Sequence, residues 1–111
     1  MSDLVNYNGY LFLKRLNESQ YEAAQKIAEK SGLNFRLAKN SLELGYSGRD
    51  YDRHVVNVLR QLAPVLVEAE GEIVCELDVE EKDAVFEFYS IKAGQLFQQR
   101  GEIVRSDLQP V

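Results

Sequence analysis

The stretch 71-GEIVCELDVEEKDAVFEFYSIKAGQLFQQRGEIV-104 decides the fold that this sequence predicts. Its first residues alternate between apolar and mostly acidic side chains, which is the two-residue period of a strand with one face in a core and the other in water. The apolar members of this alternation are Ile73, Cys75, Leu77 and Val79. We therefore expect a half-buried β-strand over residues 73–79.

Two further strands are expected in the same stretch. Residues 80–83 form a segment polar and short enough to turn, and residues 84–91 carry the aromatic and β-branched side chains that suit a pleated sheet. These segments predict an antiparallel hairpin. Ala93-Gly94 favours a second turn, which leads into a third strand that begins at Gln95 and bends at Gly101.

The residues before this sheet predict elements that cover one of its faces. A strand is expected over residues 10–16, and the helix after it should stop at Ser31-Gly32, because glycine fits the left-handed conformation that ends many helices. At the start of this helix Asn17 and Gln20 match a capping box, while Ser19 offers a competing cap.

The second helix has the clearest apolar stripe in the chain, preceded by a cap at Ser47 or Asp50. Pro64 lacks an N–H group, so the helix should end near Ala63 or kink there. The stripe that should pack on the sheet comprises Tyr51, Val55, Val58, Leu59, Leu62 and Leu66.

Between the two helices, residues 35–37 and 42–46 alternate around a short turn at Lys39-Asn40 and predict another hairpin. The expected order is β-α-β-β-α-β-β-(β). We therefore predict a single α+β domain over residues 1–111, a two-layer sandwich with a mainly antiparallel sheet and two helices on one face.

Composition excludes several classes of function. Thirteen lysine and arginine residues against 18 aspartate and glutamate residues leave a net charge of −5, whereas nucleic-acid binding requires a basic face. The longest apolar runs fall far short of the roughly 20 residues of a membrane span. The N-terminal residues lack a secretory signal, which predicts a cytoplasmic protein. The single cysteine, Cys75, is expected to be a buried thiol.

One set of residues suggests a small cleft at the start of the second helix. His54 is the only histidine, and Asp50 precedes it by one helical turn, which is the minimum arrangement for a general base with an orienting carboxylate. Asp52 is the second nearby carboxylate. Because no nucleophile or substrate motif accompanies them, this cleft is the alternative hypothesis, and a partly exposed helix residue is the simpler interpretation of His54.

No cofactor or metal is predicted. Zinc and iron sites need several histidines or cysteines, and the acidic segment around residues 78–83 lacks the glycine and ligand spacing of a calcium loop. The glycines form no phosphate-binding pattern. Phe86 and Phe88 share one strand face, where they are expected to be core residues and not a platform for RNA bases.

The most distinctive prediction is an acidic surface on the outer side of the final sheet. It can receive a basic partner, or it can serve only to protect the sheet from aggregation. The residues proposed to contact that partner are Glu72, Glu76, Asp78, Glu80, Glu81, Asp83 and Glu87.

The second half of the chain resembles bacterial polymorphic-toxin immunity proteins. The resemblance rests on a helix from Tyr51 to Pro64, the strand start Gly71-Glu72-Ile73-Val74, an acidic turn, an aromatic strand and Gly94-Gln95-Leu96. It implies a cytoplasmic antidote that blocks a toxin by binding it.

The sequence therefore predicts a non-enzymatic domain, an immunity or regulatory protein, that binds another protein of basic character. The alternative is a small-molecule-binding protein or small enzyme that uses the cleft of Asp50, Asp52 and His54. A third hypothesis is a homodimer formed through a sheet edge or face, which would leave Phe97 or Tyr89 exposed in the monomer.

Overall fold

The computed structural model describes residues 4–50, 53–77 and 85–102, in which two helices lie on one face of an antiparallel sheet. The predicted α+β class is confirmed. In chain order the elements are β1 (Leu4–Leu13), α1 (Glu18–Ser31), β2 (Asn34–Ala38), β3 (Ser41–Arg49), α2 (His54–Leu66), β4 (Ala69–Glu70), β5 (Ile73–Leu77), β6 (Val85–Lys92) and β7 (Gln95–Glu102).

The sheet has the spatial order β2-β3-β1-β5-β6-β7, and the short β4 pairs with the end of β1. Every pairing is antiparallel. The predicted hairpins β2–β3, β5–β6 and β6–β7 are all present, and β1 inserts between β3 and β5. Strand β4 and the central position of β1 were not predicted, because both depend on pairing between distant segments.

The first strand begins earlier than predicted, at Leu4 instead of about Tyr10. Asn6 and Asn8 face solvent, whereas the alternate residues Val5 and Tyr7 are buried. The polar residues therefore occupy one face of a regular strand. The Asn8-Gly9 pair is therefore part of β1, which is hydrogen-bonded to neighbours on both sides.

Gly9 is required by the close approach of the next chain segment. A Cβ atom at this position would lie 2.5 Å from the carbonyl oxygen of Glu72 and 2.6 Å from the Cα atom of Ile73. Gly71 has a φ of 99°, and a Cβ atom added there would lie 2.6 Å from the carbonyl oxygen of Tyr10. These glycines let the bend between β4 and β5 pack directly on β1.

Helix α1 begins and ends as the sequence predicts. The Asn17 side chain accepts a hydrogen bond from the Gln20 N–H at 2.8 Å, and the Gln20 side chain accepts one from the Asn17 N–H at 3.0 Å. This is the predicted capping box, so Asn17 and not Ser19 is the N-cap of α1. At the other end Gly32 adopts a left-handed φ of 71°.

Helix α2 buries the described residues of its predicted stripe but starts differently, and Tyr51 lies outside the described residues. Its N-cap is Arg53, in a left-handed conformation with φ 53° and ψ 45°, and the N–H of Val55 donates to the Asp50 side chain at 3.2 Å. Asp50 thus accepts a hydrogen bond from an N–H group in the first turn of α2, although Arg53 occupies the N-cap position. Pro64 lies inside the last turn, and the helix continues past it to Leu66.

The core lies between the helices and the sheet face that they cover. Its strand residues alternate with solvent-facing ones, and its helix residues are almost all from α2. Fully buried members include Leu11, Leu42, Leu44, Val55, Leu59, Leu62, Ile73, Cys75 and Ile91. The opposite face of the sheet, which we call the open face, carries no described helix.

Strand β6 is turned the opposite way from the prediction, so the face expected to be buried points outwards. Tyr89 and Ile91 are buried beneath the helices, while Phe86 and Phe88 lie on the open face and are half-buried. The prediction that the two phenylalanines are core residues is therefore wrong. The register explains the exchange, because buried Ile73 of β5 pairs with Tyr89 and exposed Glu76 pairs with Phe86.

Candidate functional site

The open face of the sheet carries aromatic side chains that have no covering element in the described chain. Phe12 is 59% exposed, Phe97 46% and Tyr10 44%. Tyr10 and Phe12 pack edge to face with ring centroids 4.8 Å apart, and Phe86 and Phe88 stack at 6.3 Å. Contiguous exposed apolar groups of this kind mark interaction surfaces more often than single exposed residues do.

The strand register places Phe88 and Phe97 on the same side of the sheet. Phe97 of β7 stands opposite Ser90 of β6, and Phe88 stands opposite Val74 of β5, so all four side chains share the open face. A depression of about 430 Å³ lies among them, with Phe88 and Phe97 in its wall together with Glu72. The open face therefore has both exposed rings and a concave region.

Carboxylates accompany the aromatic rings on this face. Glu70 pairs with Phe12, Glu76 pairs with Phe86, and Glu43 pairs with Tyr10 across neighbouring strands. These three glutamates are exposed. Directly opposed residues in a sheet point to the same side, so acidic and aromatic groups alternate over the centre of the open face.

Basic residues lie at the borders of the open face and also beside its aromatic rings, because Lys14 lines a concavity with Phe12 and Lys92 lines the depression of Phe88 and Phe97. Arg36 is on the edge strand β2, Arg49 is at the end of β3, and Lys92 is at the end of β6. Arg36 stands opposite Glu43. The outward-facing residues of β4 and β5 include Glu70 and Glu76 and no basic residue.

The predicted acidic residues are only partly brought together. Glu72 and Glu76 are exposed on the side expected. Asp78, Glu80, Glu81 and Asp83 lie outside the described residues. Glu87 contradicts the prediction, because it is only 2% exposed and points under the helices. Its register explains this, since Glu87 pairs with buried Cys75.

The two described residues of the alternative cleft, Asp50 and His54, do not converge. Asp50 accepts a hydrogen bond from the Tyr7 hydroxyl at 2.9 Å and another from the Val55 N–H. The Nε2 atom of His54 lies 2.8 Å from the carbonyl oxygen of Ser31, at the end of α1. Asp50 therefore supports the start of α2, whereas His54 bridges the two helices. Asp52 lies outside the described residues.

Buried Glu87 is held in a polar network that the sequence did not reveal. Nη2 of Arg53 donates to the two Glu87 carboxylate oxygens at 3.0 and 3.3 Å, and to the Tyr89 hydroxyl at 2.8 Å. The Gln98 amide donates to the same carboxylate and, at 3.1 Å, to the Tyr89 hydroxyl. Every buried carboxylate requires such compensation, and here the Arg53 and Gln98 side chains provide it.

Burial determines the electrostatics of this region. It raises the pKa of Tyr89 to about 12, with a further contribution from the Glu87 charge. Burial also raises the pKa of the Cys75 thiol to about 11. The Tyr7 pKa rises as well, because its hydroxyl is buried and lies beside Cys75 and Asp50. These raised pKa values keep the three groups in their neutral forms at pH 7.

Neither a metal centre nor a membrane span is found in the described part of the chain. Among residues 4–50, 53–77 and 85–102, no group of three or more histidine, cysteine, aspartate and glutamate side chains could hold a metal ion. Neither described helix is long and apolar enough to cross a membrane.

Sequence reasoning missed the aromatic part of the open face, although one signal was available. Residues 10–13 are Tyr-Leu-Phe-Leu, which are apolar on both strand faces. With Leu11 and Leu13 in the core, Tyr10 and Phe12 must point outwards. For Arg53 the sequence offers no comparable signal, because its partners Glu87 and Tyr89 are far away along the chain.

No protein-family model, curated protein or solved structure matches this chain.

Proposed function

We propose that this protein is a non-enzymatic binding domain whose open face receives a basic segment of another protein. The observation that carries the proposal is the pairing of exposed aromatic rings with glutamates over the centre of the open face, at Tyr10 with Glu43 and at Phe12 with Glu70. An arginine side chain suits both groups, because its guanidinium binds carboxylates and stacks on aromatic rings.

The size and chemistry of the face fit a protein partner. Aromatic side chains supply much of the binding energy in protein interfaces when they enter well-packed, dehydrated contacts. The depression lined by Phe88 and Phe97 offers such a contact for an apolar side chain of the partner. The glutamates elsewhere on the face, Glu43, Glu70 and Glu76, would orient a positively charged surface and speed its association.

Charge decides between a basic and an acidic partner. The whole chain has a net charge of −5, and Glu70, Glu72 and Glu76 are exposed along the segment from β4 to β5. An acidic protein or a nucleic acid would meet repulsion there. We therefore assign the face to a basic protein, and we extend the proposal to a cytoplasmic immunity or regulatory protein, the class that the second half of the chain resembles.

The test is affinity capture from the native host with matched variants of the open face. Wild-type protein should capture a basic protein at low salt and release it as the salt concentration rises. Phe12→Ser should lose this partner because it removes an exposed ring, and Glu76→Lys should lose it by charge repulsion. Glu22→Lys changes charge equally on exposed α1 and should retain the partner.

Two outcomes would overturn the proposal. One is capture of the same protein by the wild type, Phe12→Ser and Glu76→Lys alike, which would place the interface elsewhere. The other is a wild-type homodimer in light scattering that Phe97→Ser converts to a monomer, because the open face would then be occupied by a second copy of the chain.

A further inference from the structure

A second concave region lies on the helix side of the sheet and is separate from the open face. It is a pocket of about 260 Å³ between α2 and the strands β6 and β7. Its lining residues are Arg53, Val56, Arg60, Tyr89, Leu96 and Gln98. In this acidic chain, the pocket is lined by two guanidinium groups and none of its lining residues is acidic.

Arg53 and Arg60 reach the pocket from one side of α2. Arg60 follows Val56 by four residues and shares its helix face, and Arg53 lines the pocket from the N-cap position of α2. Arg60 is exposed and has no hydrogen bond or ion pair with any described residue. Its charge is therefore available to a ligand.

Arg53 is held in place before any ligand arrives. Its three hydrogen bonds to Glu87 and Tyr89 all use Nη2, and its side chain is still 56% exposed. Its backbone is left-handed, which is unusual and unfavourable for a residue other than glycine. Such strain persists where the surrounding contacts impose it, and it is concentrated at functional sites.

The charges of the pocket define the ligand. Arg53 and Arg60 carry two positive charges, and Glu87 behind the pocket compensates one of them through its ion pair with Arg53. The remaining charge matches a monoanion better than a dianion. Val56 and Leu96 supply an apolar wall, and the volume is below the range typical of drug-sized ligands.

We propose that this pocket binds a short aliphatic monocarboxylate, with its carboxylate at the Arg53 and Arg60 guanidinium groups and its chain against Val56 and Leu96. The site lies on the opposite side of the sheet from the proposed protein partner, and Gln98 of the edge strand β7 lines both concave regions. It also differs from the predicted cleft, since neither Asp50 nor His54 lines it.

The test is a titration of the isotope-labelled protein with sodium butyrate at constant ionic strength, followed by NMR. Amide signals of Val56, Arg60 and Leu96 should shift and saturate. Arg60→Gln should weaken binding at least tenfold. Arg36→Gln removes an equal charge from exposed β2 and should bind as the wild type does.

The Arg60→Lys variant and a titration with inorganic phosphate test the site and its ligand further. Arg60→Lys, which retains the charge without the planar fork, should bind with intermediate affinity, and it replaces Arg60→Gln if that variant does not fold. Shifts that rise linearly without saturation would overturn the site, as would equal affinity in wild type and Arg60→Gln. Saturation by inorganic phosphate at lower concentration than butyrate would overturn the assignment to a monocarboxylate.

Discussion

Replacing Gly9 by alanine should destabilise the protein strongly, because the bend between β4 and β5 touches β1 at this residue. The new Cβ atom would lie 2.5 Å from the Glu72 carbonyl oxygen and 2.6 Å from the Ile73 Cα atom. Both are backbone atoms and cannot rotate away. The two segments must therefore separate, which would also displace Tyr10 and Glu72 on the open face.

Gly45 provides a matched control in the neighbouring strand β3. It stands opposite Asn8, and a Cβ atom added there meets nothing within 4 Å. Overpacking costs about 1–3 kcal/mol and sometimes more, whereas alanine in place of a strand glycine gains about 0.5–1 kcal/mol. We expect Gly9→Ala to lose about 3 kcal/mol of unfolding free energy and Gly45→Ala to lose none.

Urea denaturation followed by circular dichroism measures this difference. The slope of the unfolding free energy against urea concentration should be the same in both variants, so that the midpoints report stability alone. In thermal unfolding, Gly9→Ala should lower Tm by roughly 10 °C, since about 1 kcal/mol corresponds to about 4 °C in a domain of this size. If the two variants were equally stable, the close contact between β1 and the Glu72 backbone would be refuted.

Three further predictions concern α1 and the buried polar groups. Asn17→Ala should cost about 1 kcal/mol in chemical denaturation and Ser19→Ala almost nothing, because Asn17 caps α1; equal costs would contradict that capping box. Native Cys75 at pH 8.5 should react with iodoacetamide about a hundredfold more slowly than the unfolded thiol, because its pKa of about 11 leaves little thiolate, and similar rates would contradict its burial. Because the Cys75 pKa is raised in the folded protein, the unfolded thiol loses its proton first as the pH rises. The free energy of unfolding should therefore fall between about pH 8.5 and pH 11. Glu87→Gln should cost about 1–2 kcal/mol in urea denaturation, less than a fully buried ion pair because Arg53 remains in contact with water, and an unchanged midpoint would contradict the network.

Features that depend on neighbouring residues were predictable from the sequence. The capping box of Asn17 and Gln20, the left-handed Gly32 and the hairpin turns at Lys39-Asn40 and Ala93-Gly94 all follow from local chemistry. The apolar period of α2 also indicated which of its residues would be buried. In each case the deciding contacts lie within one or two turns of the chain.

The candidate sites were less predictable, because side-chain direction in β6 depends on its pairing with β5. A two-residue period indicates two faces without indicating which one is buried, and both faces of β6 carry aromatic residues. The charge of Glu87 favoured an outward position. Arg53, 34 residues earlier in the chain, supplies the compensation that permits its burial.

The amino-acid sequence by itself determined an acidic α+β protein with an antiparallel hairpin sheet and two covering helices, because helix caps, turns and hydrophobic periods act over a few residues. Only the tertiary structure decided that β1 lies in the middle of the sheet, that Phe86 joins Tyr10 and Phe12 on the open face, and that Glu87 meets Arg53 beneath the helices. The physical reason is that strand order and register are set by contacts between distant segments, which burial and hydrogen bonding stabilise only after the chain has folded.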